Sequence, residues 1–251
     1  MNMVKEDFEK WGKLFSGCHG GNIGNAKERS VWVCGLEFGG QYNNLSEIEH
    51  EFRRKVSDIP TGYCSEYGNL ASPYDRNVLK IITAMCGEEI KNYLDFNAAV
   101  RPFVKGSPVK LFKMNLFPLA FSRLNDNLWS ECYKEATGFI CKDDYKKWCE
   151  INRFDFINNL VKKHRPFLII CFGAEDYHQS FLNAFLKKEY KKLDDKSNNS
   201  LSWYIKEGYK NENIKLVICP FPSFNSSNQK LESIGKEIKD KTGGFVICQS
   251  L

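Results

Sequence analysis

The fold is decided by the stretch Ser30-Val31-Trp32-Val33-Cys34-Gly35-Leu36-Glu37-Phe38-Gly39-Gly40. Its apolar first half predicts a buried strand over residues 31–35, and the glycines after it predict a turn. In an open α/β sheet, ligands bind just beyond the carboxyl ends of the strands. Glu37, the carboxylate in this turn, is therefore the first candidate for a functional side chain.

Three further apolar runs, at residues 109–114, 167–172 and 214–219, also predict buried strands. Continuous runs of this kind are typical of parallel strands that are covered on both faces. Apolar residues at helical spacing predict helices over 3–16, 46–56, 75–86, 148–164, 177–190 and 228–241. The alternation predicts an α/β fold of three layers, α/β/α, around a central, mainly parallel four-stranded sheet. Residues 1–251 contain no linker-like segment, so we expect one domain.

Less regular segments predict further elements. Ser46 with Glu49 three residues later fits a capping box at the start of the second helix. Residues 120–150 predict a helical excursion. A strand over 202–206 is expected to join the last of the four runs through a turn, and residues 245–248 are expected to add a final strand.

Composition limits the classes of protein to which this chain can belong. Hydrophobic residues make up 42% and aromatic residues 14% of 251 residues, which indicates a globular protein. The net charge of +5 is spread over both halves, so any affinity for nucleic acid must come from local patches. We see neither a signal peptide nor an apolar run of the ~20 residues that would span a bilayer, and we expect a cytoplasmic protein without membrane contact. Ten cysteines without a C-x-x-C pair predict neither a metal site nor a cofactor.

Several side chains near the predicted strand ends suit the recognition of a planar ligand. Asn115 ends the second strand and offers both a donor and an acceptor to the edge of a base. Aromatic residues could serve as stacking platforms, namely Phe38, Tyr42, Tyr63 and Phe117. Each has a structural alternative: helix capping for Glu37, local backbone bonding for Asn115 and core packing for the aromatic rings. The four histidines lie outside these stretches and are expected at ordinary packing or surface positions.

Four motifs follow the predicted strands: Gly35-Leu-Glu-Phe-Gly39, Met114-Asn-Leu-Phe-Pro118, Phe172-Gly-Ala174 and Cys219-Pro-Phe-Pro-Ser-Phe-Asn225. In this order and spacing, over residues 30–241, they resemble the uracil-DNA glycosylase superfamily. The resemblance places Glu37 where many members carry the acid that positions or activates water. It places Asn115 where an Asn faces the edge of the flipped base.

The last motif of that superfamily is typically His-Pro-Ser, followed by a loop that wedges into the duplex, and Phe221-Pro222-Ser223 is its match here. The resemblance therefore implies that Ser223, Phe224 and Asn225 contact DNA, with Phe224 as the wedge. It further implies a substrate pocket whose residues are Gly35, Leu36, Phe38, Gly39, Tyr42, Phe117, Phe221 and Ser223.

The sequence departs from the family pattern at two positions that matter. Phe221 stands where the His of His-Pro-Ser would lie, and Phe38 stands where a Pro usually follows the acid. With these departures, the resemblance implies a monofunctional, monomeric DNA glycosylase that excises a modified or damaged base other than plain uracil. A bulky modified base of phage DNA, excised in antiviral defence, is consistent with the same pattern.

Two other functions stay open from the sequence. One is a catalytically inactive protein of the same fold that binds a nucleic acid or a nucleotide. The other is an unrelated doubly wound α/β enzyme such as a small hydrolase, although the sequence contains no G-x-S-x-G elbow, no P-loop and no G-x-G-x-x-G after a strand.

Overall fold

The four predicted apolar runs lie side by side as parallel strands in the middle of one sheet. The computed structural model describes residues 3–62, 72–122, 129–187, 189–193, 199–207, 213–223 and 225–243, with the backbone alone for residues 3 and 4. Its strands are β1 (Cys18–Gly21), β2 (Val31–Gly35), β3 (Leu111–Asn115), β4 (Leu168–Phe172), β5 (Lys191–Lys192), β6 (Ser202–Lys206) and β7 (Ile214–Cys219). Their order across the sheet is β1-β3-β2-β4-β7-β6-β5.

The prediction of a four-stranded sheet is wrong, because the described sheet is mixed and has seven strands. At one edge β1 pairs antiparallel with β3, and at the other β6 pairs antiparallel with both β7 and β5. The sequence of β1 predicts a loop rather than a strand, because it lacks alternating apolar residues and contains two glycines. A Cβ on Gly20 would lie 2.3 Å from the Pro60 carbonyl oxygen, so the close approach of these backbones requires glycine there.

Helices cover both faces of the sheet. They are α1 (Met3–Gly12), α2 (Leu45–Arg53), α3 (Pro73–Met85), α4 (Tyr93–Val100), α5 (Glu131–Thr137), α6 (Lys142–Trp148), α7 (Phe154–His164), α8 (His178–Phe185) and α9 (Asn228–Lys241). Apolar residues of α3, α4 and α9 pack on one face of the central strands. Apolar residues of α1, α2 and α5–α8 pack on the other face. The expected helical layers on both sides of the sheet are thus present.

The helix predictions differ from the structure mainly at the helix ends. The predicted Ser46–Glu49 capping box is wrong: Asn44 caps α2, its side chain accepts from the Glu47 backbone N–H at 3.1 Å, and the Glu47 carboxylate accepts from the Asn43 N–H at 2.9 Å. Both polar groups are suited to capping, and the true start lies two residues earlier.

One predicted helix is divided into several elements, and some predicted segments lie outside the described residues. The predicted helix over 148–164 is the end of α6, a π-turn over Cys149–Arg153 and then α7. Within 120–150, helices α5 and α6 confirm the helical excursion, although residues 123–128 lie outside the described residues. The predicted strand over 245–248 also lies outside them, as does most of the turn between β6 and β7. No helix among the described residues is long and apolar enough to cross a membrane.

Arg153, the last residue of the π-turn, ties the N-terminal segment to the end of β3. Its side chain is fully buried, and its guanidinium donates to five carbonyl oxygens and one hydroxyl. The acceptors are the carbonyl oxygens of Gly12, Leu14, Ser16, Asn115 and Leu116 and the Ser16 hydroxyl. Because two of these carbonyls flank the carboxyl end of β3, Arg153 also fixes the backbone that carries Asn115.

Candidate functional site

A cleft of about 540 Å³ opens at the carboxyl ends of β2 and β3. Its volume lies within the range of about 300–1,000 Å³ that is common for small-molecule sites. It is lined by His19, Gly35, Leu36, Glu37, Phe38, Gly39, Ser72, Tyr74, Asp75, Lys113, Asn115, Phe121, Ser122 and Phe221. The position confirms that this strand edge carries a cavity, as the Glu37 turn predicted.

Gly35 brings Asn115 to the floor of this cleft. The two residues pair across β2 and β3, and a Cβ on Gly35 would lie 2.6 Å from Asn115 Oδ1 and 2.8 Å from Tyr74 Oη. Asn115 is 3% exposed, and its backbone N–H donates to the Gly17 carbonyl at 2.8 Å. The absence of a side chain at Gly35 therefore lets the Asn115 amide and the Tyr74 hydroxyl converge at the end of β2.

Replacing Gly35 with Ala is expected to push these two side chains out of place. The buried methyl group would collide with both oxygens, and overpacking of this kind typically destabilises a protein by about 1–3 kcal/mol. Chemical denaturation would measure the loss. Gly39→Ala is the matched control, because a Cβ there meets no atom within 4 Å. Equal stability of the two variants would contradict the proposed crowding.

Glu37 is buried in an ion pair. Its Oε1 lies 3.1 Å from Nζ of Lys142, and the two side chains are 6% and 1% exposed. The Lys142 ammonium also lies 3.7 Å from the centroid of the Phe121 ring. The capping alternative for Glu37 does not apply, because the next helix, α2, is capped by Asn44. The neighbouring ammonium favours the ionised form of the carboxylate, whereas burial opposes it.

His19 enters the cleft from the edge strand β1, outside the four motifs that follow the predicted strands. Cys18 pairs with Met114 and Gly20 with Lys113, so His19 is the extra residue of a β-bulge. Bulges re-aim side chains in this way. The imidazole stacks on Phe38, with ring centroids 4.6 Å apart and planes within 8°. Burial, helped by the positive charge of Lys113, lowers the pKa of His19 to about 2, so the ring is neutral.

The low pKa of His19 has a measurable consequence for stability. An unfolded His has a pKa near 6.5, whereas the pKa of folded His19 is about 2. Between these two pH values the unfolded state therefore binds more protons than the folded state. The free energy of unfolding thus falls as the pH is lowered from 6.5 toward 2. His19→Gln is expected to reduce the slope of unfolding free energy between pH 6 and 4 by up to about 1.4 kcal/mol per pH unit. His50→Gln, at an exposed position, serves as the control. An unchanged slope in His19→Gln would contradict the burial of a neutral ring.

A second ion pair also lines the cleft. Lys113 of β3 pairs with Asp75 in the first turn of α3, and their side chains are 1% and 15% exposed. Burial lowers the pKa of Lys113, and the Asp75 carboxylate opposes that effect. The start of α3, capped by Ser72, thus forms part of the lining together with Tyr74.

Most of the predicted site residues meet in the cleft. Those that line it are Gly35, Leu36, Glu37, Phe38, Gly39, Asn115 and Phe221. Phe221 is 45% exposed and stacks on Tyr74, with centroids 5.3 Å apart.

Other predicted residues lie elsewhere. Phe117 is 1% exposed and packs in the core against Tyr145 of α6 and Phe154 of α7. Ser223 and Asn225 are exposed in the loop before α9 and do not line the cleft. Phe224 and Tyr63 lie outside the described residues.

A second cavity of about 930 Å³ adjoins the first and shares three residues with it: His19, Phe38 and Gly39. Tyr42 lines this second cavity rather than the cleft. Its charged lining residues pair with each other, Arg54 with Glu51 at 2.9 Å and Lys55 with Asp58 at 2.8 Å. The charges of this lining therefore balance, because each of the two cations is paired with an anion.

The described residues include no group of three His, Cys, Asp or Glu side chains that could hold a metal ion. A scan against protein-family models finds no match, and a search of curated proteins finds none either. Neither comparison bears on the resemblance to the uracil-DNA glycosylase superfamily. Support for a function comes from the geometry of the cleft and from the motifs that build it.

Proposed function

We propose that this protein is a DNA glycosylase that hydrolyses the N-glycosidic bond of a base flipped into the cleft. One observation carries the proposal: Glu37 and Asn115, which follow adjacent parallel strands, line one cavity together with aromatic rings. The motif order that resembles the uracil-DNA glycosylase superfamily supports the same reaction. DNA is the proposed partner, and we propose that the protein acts as a monomer in the cytoplasm.

The cleft offers what recognition of a flipped base requires. Extruding a base costs a few kcal/mol, which stacking and hydrogen bonds to the base edge must offset. The Phe38 ring is held in one plane by its stacking on His19, so it can serve as a platform. Asn115 presents both a carbonyl and an amino group, which suits the mixed donors and acceptors of a base edge.

Glu37 is proposed as the catalytic carboxylate. Glycosidic cleavage develops positive charge on the sugar, which a nearby anion stabilises, and the same anion can orient the attacking water. The contact with Lys142 favours an anion rather than a carboxylic acid. A carboxylate has about four acceptor positions, so one bond to Lys142 is compatible with water binding.

The target is proposed to be a modified or damaged base rather than plain uracil. Phe221 replaces the His expected to face uracil, and the second cavity lies beside the cleft. Gly39, which lines both cavities, carries no side chain, and a Cβ there would meet no atom within 4 Å. A base with a bulky substituent therefore has room to extend past Gly39, and such bases in phage DNA would connect the activity with antiviral defence.

The loop before α9 is proposed to contact the DNA backbone. Ser223 and Asn225 are exposed there, and the Ser223 carbonyl accepts from Asn77 at 2.8 Å, which anchors the loop to α3. Side-chain hydroxyls and amides commonly bind phosphate oxygens and fix the register of a protein on DNA.

The alternative is a binding protein without catalysis. Two observations favour it: Glu37 is already engaged by Lys142, and no His stands at Phe221. A panel of oligonucleotides that carry plain, damaged or bulky modified bases separates the two functions through alkali-labile abasic sites. Cleavage at one modified base supports the glycosylase, whereas salt-dependent binding without cleavage on every oligonucleotide supports the binding protein.

A further inference from the structure

Lys142 lies outside every motif of the sequence, yet its ammonium contacts the proposed catalytic carboxylate. The Glu37–Lys142 contact joins the turn after β2 to the first residue of α6 over 3.1 Å. We infer that Lys142 is a positioning residue that holds the Glu37 carboxylate ionised and in a fixed orientation at the edge of the cleft. The role in catalysis rests on the proposed function, whereas the effect on the charge of Glu37 does not.

The place of Lys142 within α6 is unfavourable for a cation. A helix N-terminus carries partial positive charge, which favours anions such as the next two residues, Asp143 and Asp144. Lys142 is also 1% exposed, so its ammonium has lost its hydration. Contacts with Glu37 and with the Phe121 ring compensate for both effects. The pairing therefore explains a buried lysine that helix electrostatics alone would disfavour.

Stability alone does not account for a buried ion pair at this position. A buried ion pair can often be replaced by apolar residues of similar volume without loss of stability, because desolvation offsets the attraction. Two apolar side chains would serve packing between the β2 turn and α6 equally well. A charged pair at the rim of a cleft instead provides a carboxylate of fixed position and charge.

Two phenols of the described residues interact electrostatically with Glu37, and neither adds a charge. Burial raises the pKa of Tyr133 on α5 to about 12 and raises the pKa of Tyr145 on α6, so both phenols are neutral. Elsewhere in the lining of the cleft, His19 is neutral and the charge of Lys113 is balanced by Asp75. Lys142 is therefore well placed to decide whether the carboxylate is ionised.

The test is an NMR titration of the ¹³C-labelled glutamate side chains, with Glu37→Gln identifying the Glu37 signal. In the wild type, Glu37 is expected to be ionised at about pH 6. In Lys142→Met its titration midpoint is expected to rise by about two pH units or more, because a buried carboxylate without its cation favours the neutral form. Lys142→Arg, which keeps the charge, is expected to restore most of the wild-type behaviour.

Lys147→Met is the matched control on the same helix, because Lys147 is exposed and its removal is expected to leave the Glu37 midpoint unchanged. If Lys142→Met does not fold, the double variant Glu37→Gln/Lys142→Met is expected to fold, since it leaves no buried charge unpaired. A Glu37 signal that is protonated at about pH 6 in the wild type, or an unchanged midpoint in Lys142→Met, would overturn the inference.

Activity provides a separate readout. In Lys142→Met, the acidic limb of the pH dependence of base excision is expected to move to higher pH together with the Glu37 midpoint, and Lys142→Arg is expected to reverse the change. Absence of excision by the wild type on every DNA would refute the proposed function. The NMR titration would still decide the role of Lys142 in that case.

Discussion

Glu37→Gln is expected to slow base excision by at least about a hundredfold while DNA binding stays within a few-fold of the wild type. Glutamine keeps the shape of the side chain but removes the negative charge that the proposed mechanism requires beside the sugar. Single-turnover excision on the preferred modified oligonucleotide measures the rate, and a titration of the same DNA measures binding.

The matched control for this substitution is Glu232→Gln on α9, whose carboxylate pairs with Lys236 on the surface of the same helix. Its excision rate should equal that of the wild type. Full excision by Glu37→Gln would remove Glu37 from the chemistry and leave the cleft as a binding site only.

Arg153→Met is expected to lower the free energy of unfolding by about 4 kcal/mol or more. The substitution removes donors from five carbonyl oxygens and one hydroxyl, and each buried polar group without a partner costs about 1–3 kcal/mol. Methionine refills part of the volume, so the lost hydrogen bonds account for most of the effect. Urea denaturation with a spectroscopic probe measures it.

Arg53→Met provides the comparison for Arg153. Arg53 is 73% exposed and pairs with Glu49 on the surface of α2, where such pairs contribute about 1 kcal/mol or less. A stability of Arg153→Met within about 1 kcal/mol of the wild type would show that the N-terminal segment does not depend on this guanidinium.

The middle of the sheet was predictable because its strands are covered on both faces. Strands β2, β4 and β7 are almost wholly apolar, and such runs have few other ways to bury their side chains. The edge strand β1 was not predictable, because it lacks such an apolar run. Strand β1 consists of Cys-His-Gly-Gly, and its pairing with β3 depends on glycine backbones that approach other backbones closely.

The candidate site was predictable only in part. Glu37 and Asn115 follow the ends of strands, and the geometry of a parallel sheet brings such ends together. His19 and Lys142 gave no comparable signal, because a β-bulge aims one and the packing of α6 against the β2 turn places the other. Both depend on contacts between residues that are about 20 to 105 positions apart, which local patterns do not encode.

Aromatic residues show a similar limit. Phe38 and Phe117 each follow the end of a strand by two or three residues, yet Phe38 lines the cleft and Phe117 lies in the core. Their sequence contexts are alike, and the difference lies in their neighbours: Phe38 stacks on His19, whereas Phe117 packs against rings of α6 and α7.

The most direct measurement of the central claim is the release of free base from a modified oligonucleotide, followed by mass spectrometry of both products. The proposed function predicts one free base and one abasic site for each turnover by the wild type, and at least about a hundredfold less of both products in the same time with Glu37→Gln. The proposed function would be contradicted if the wild type bound the DNA but left it intact for every modified base tested.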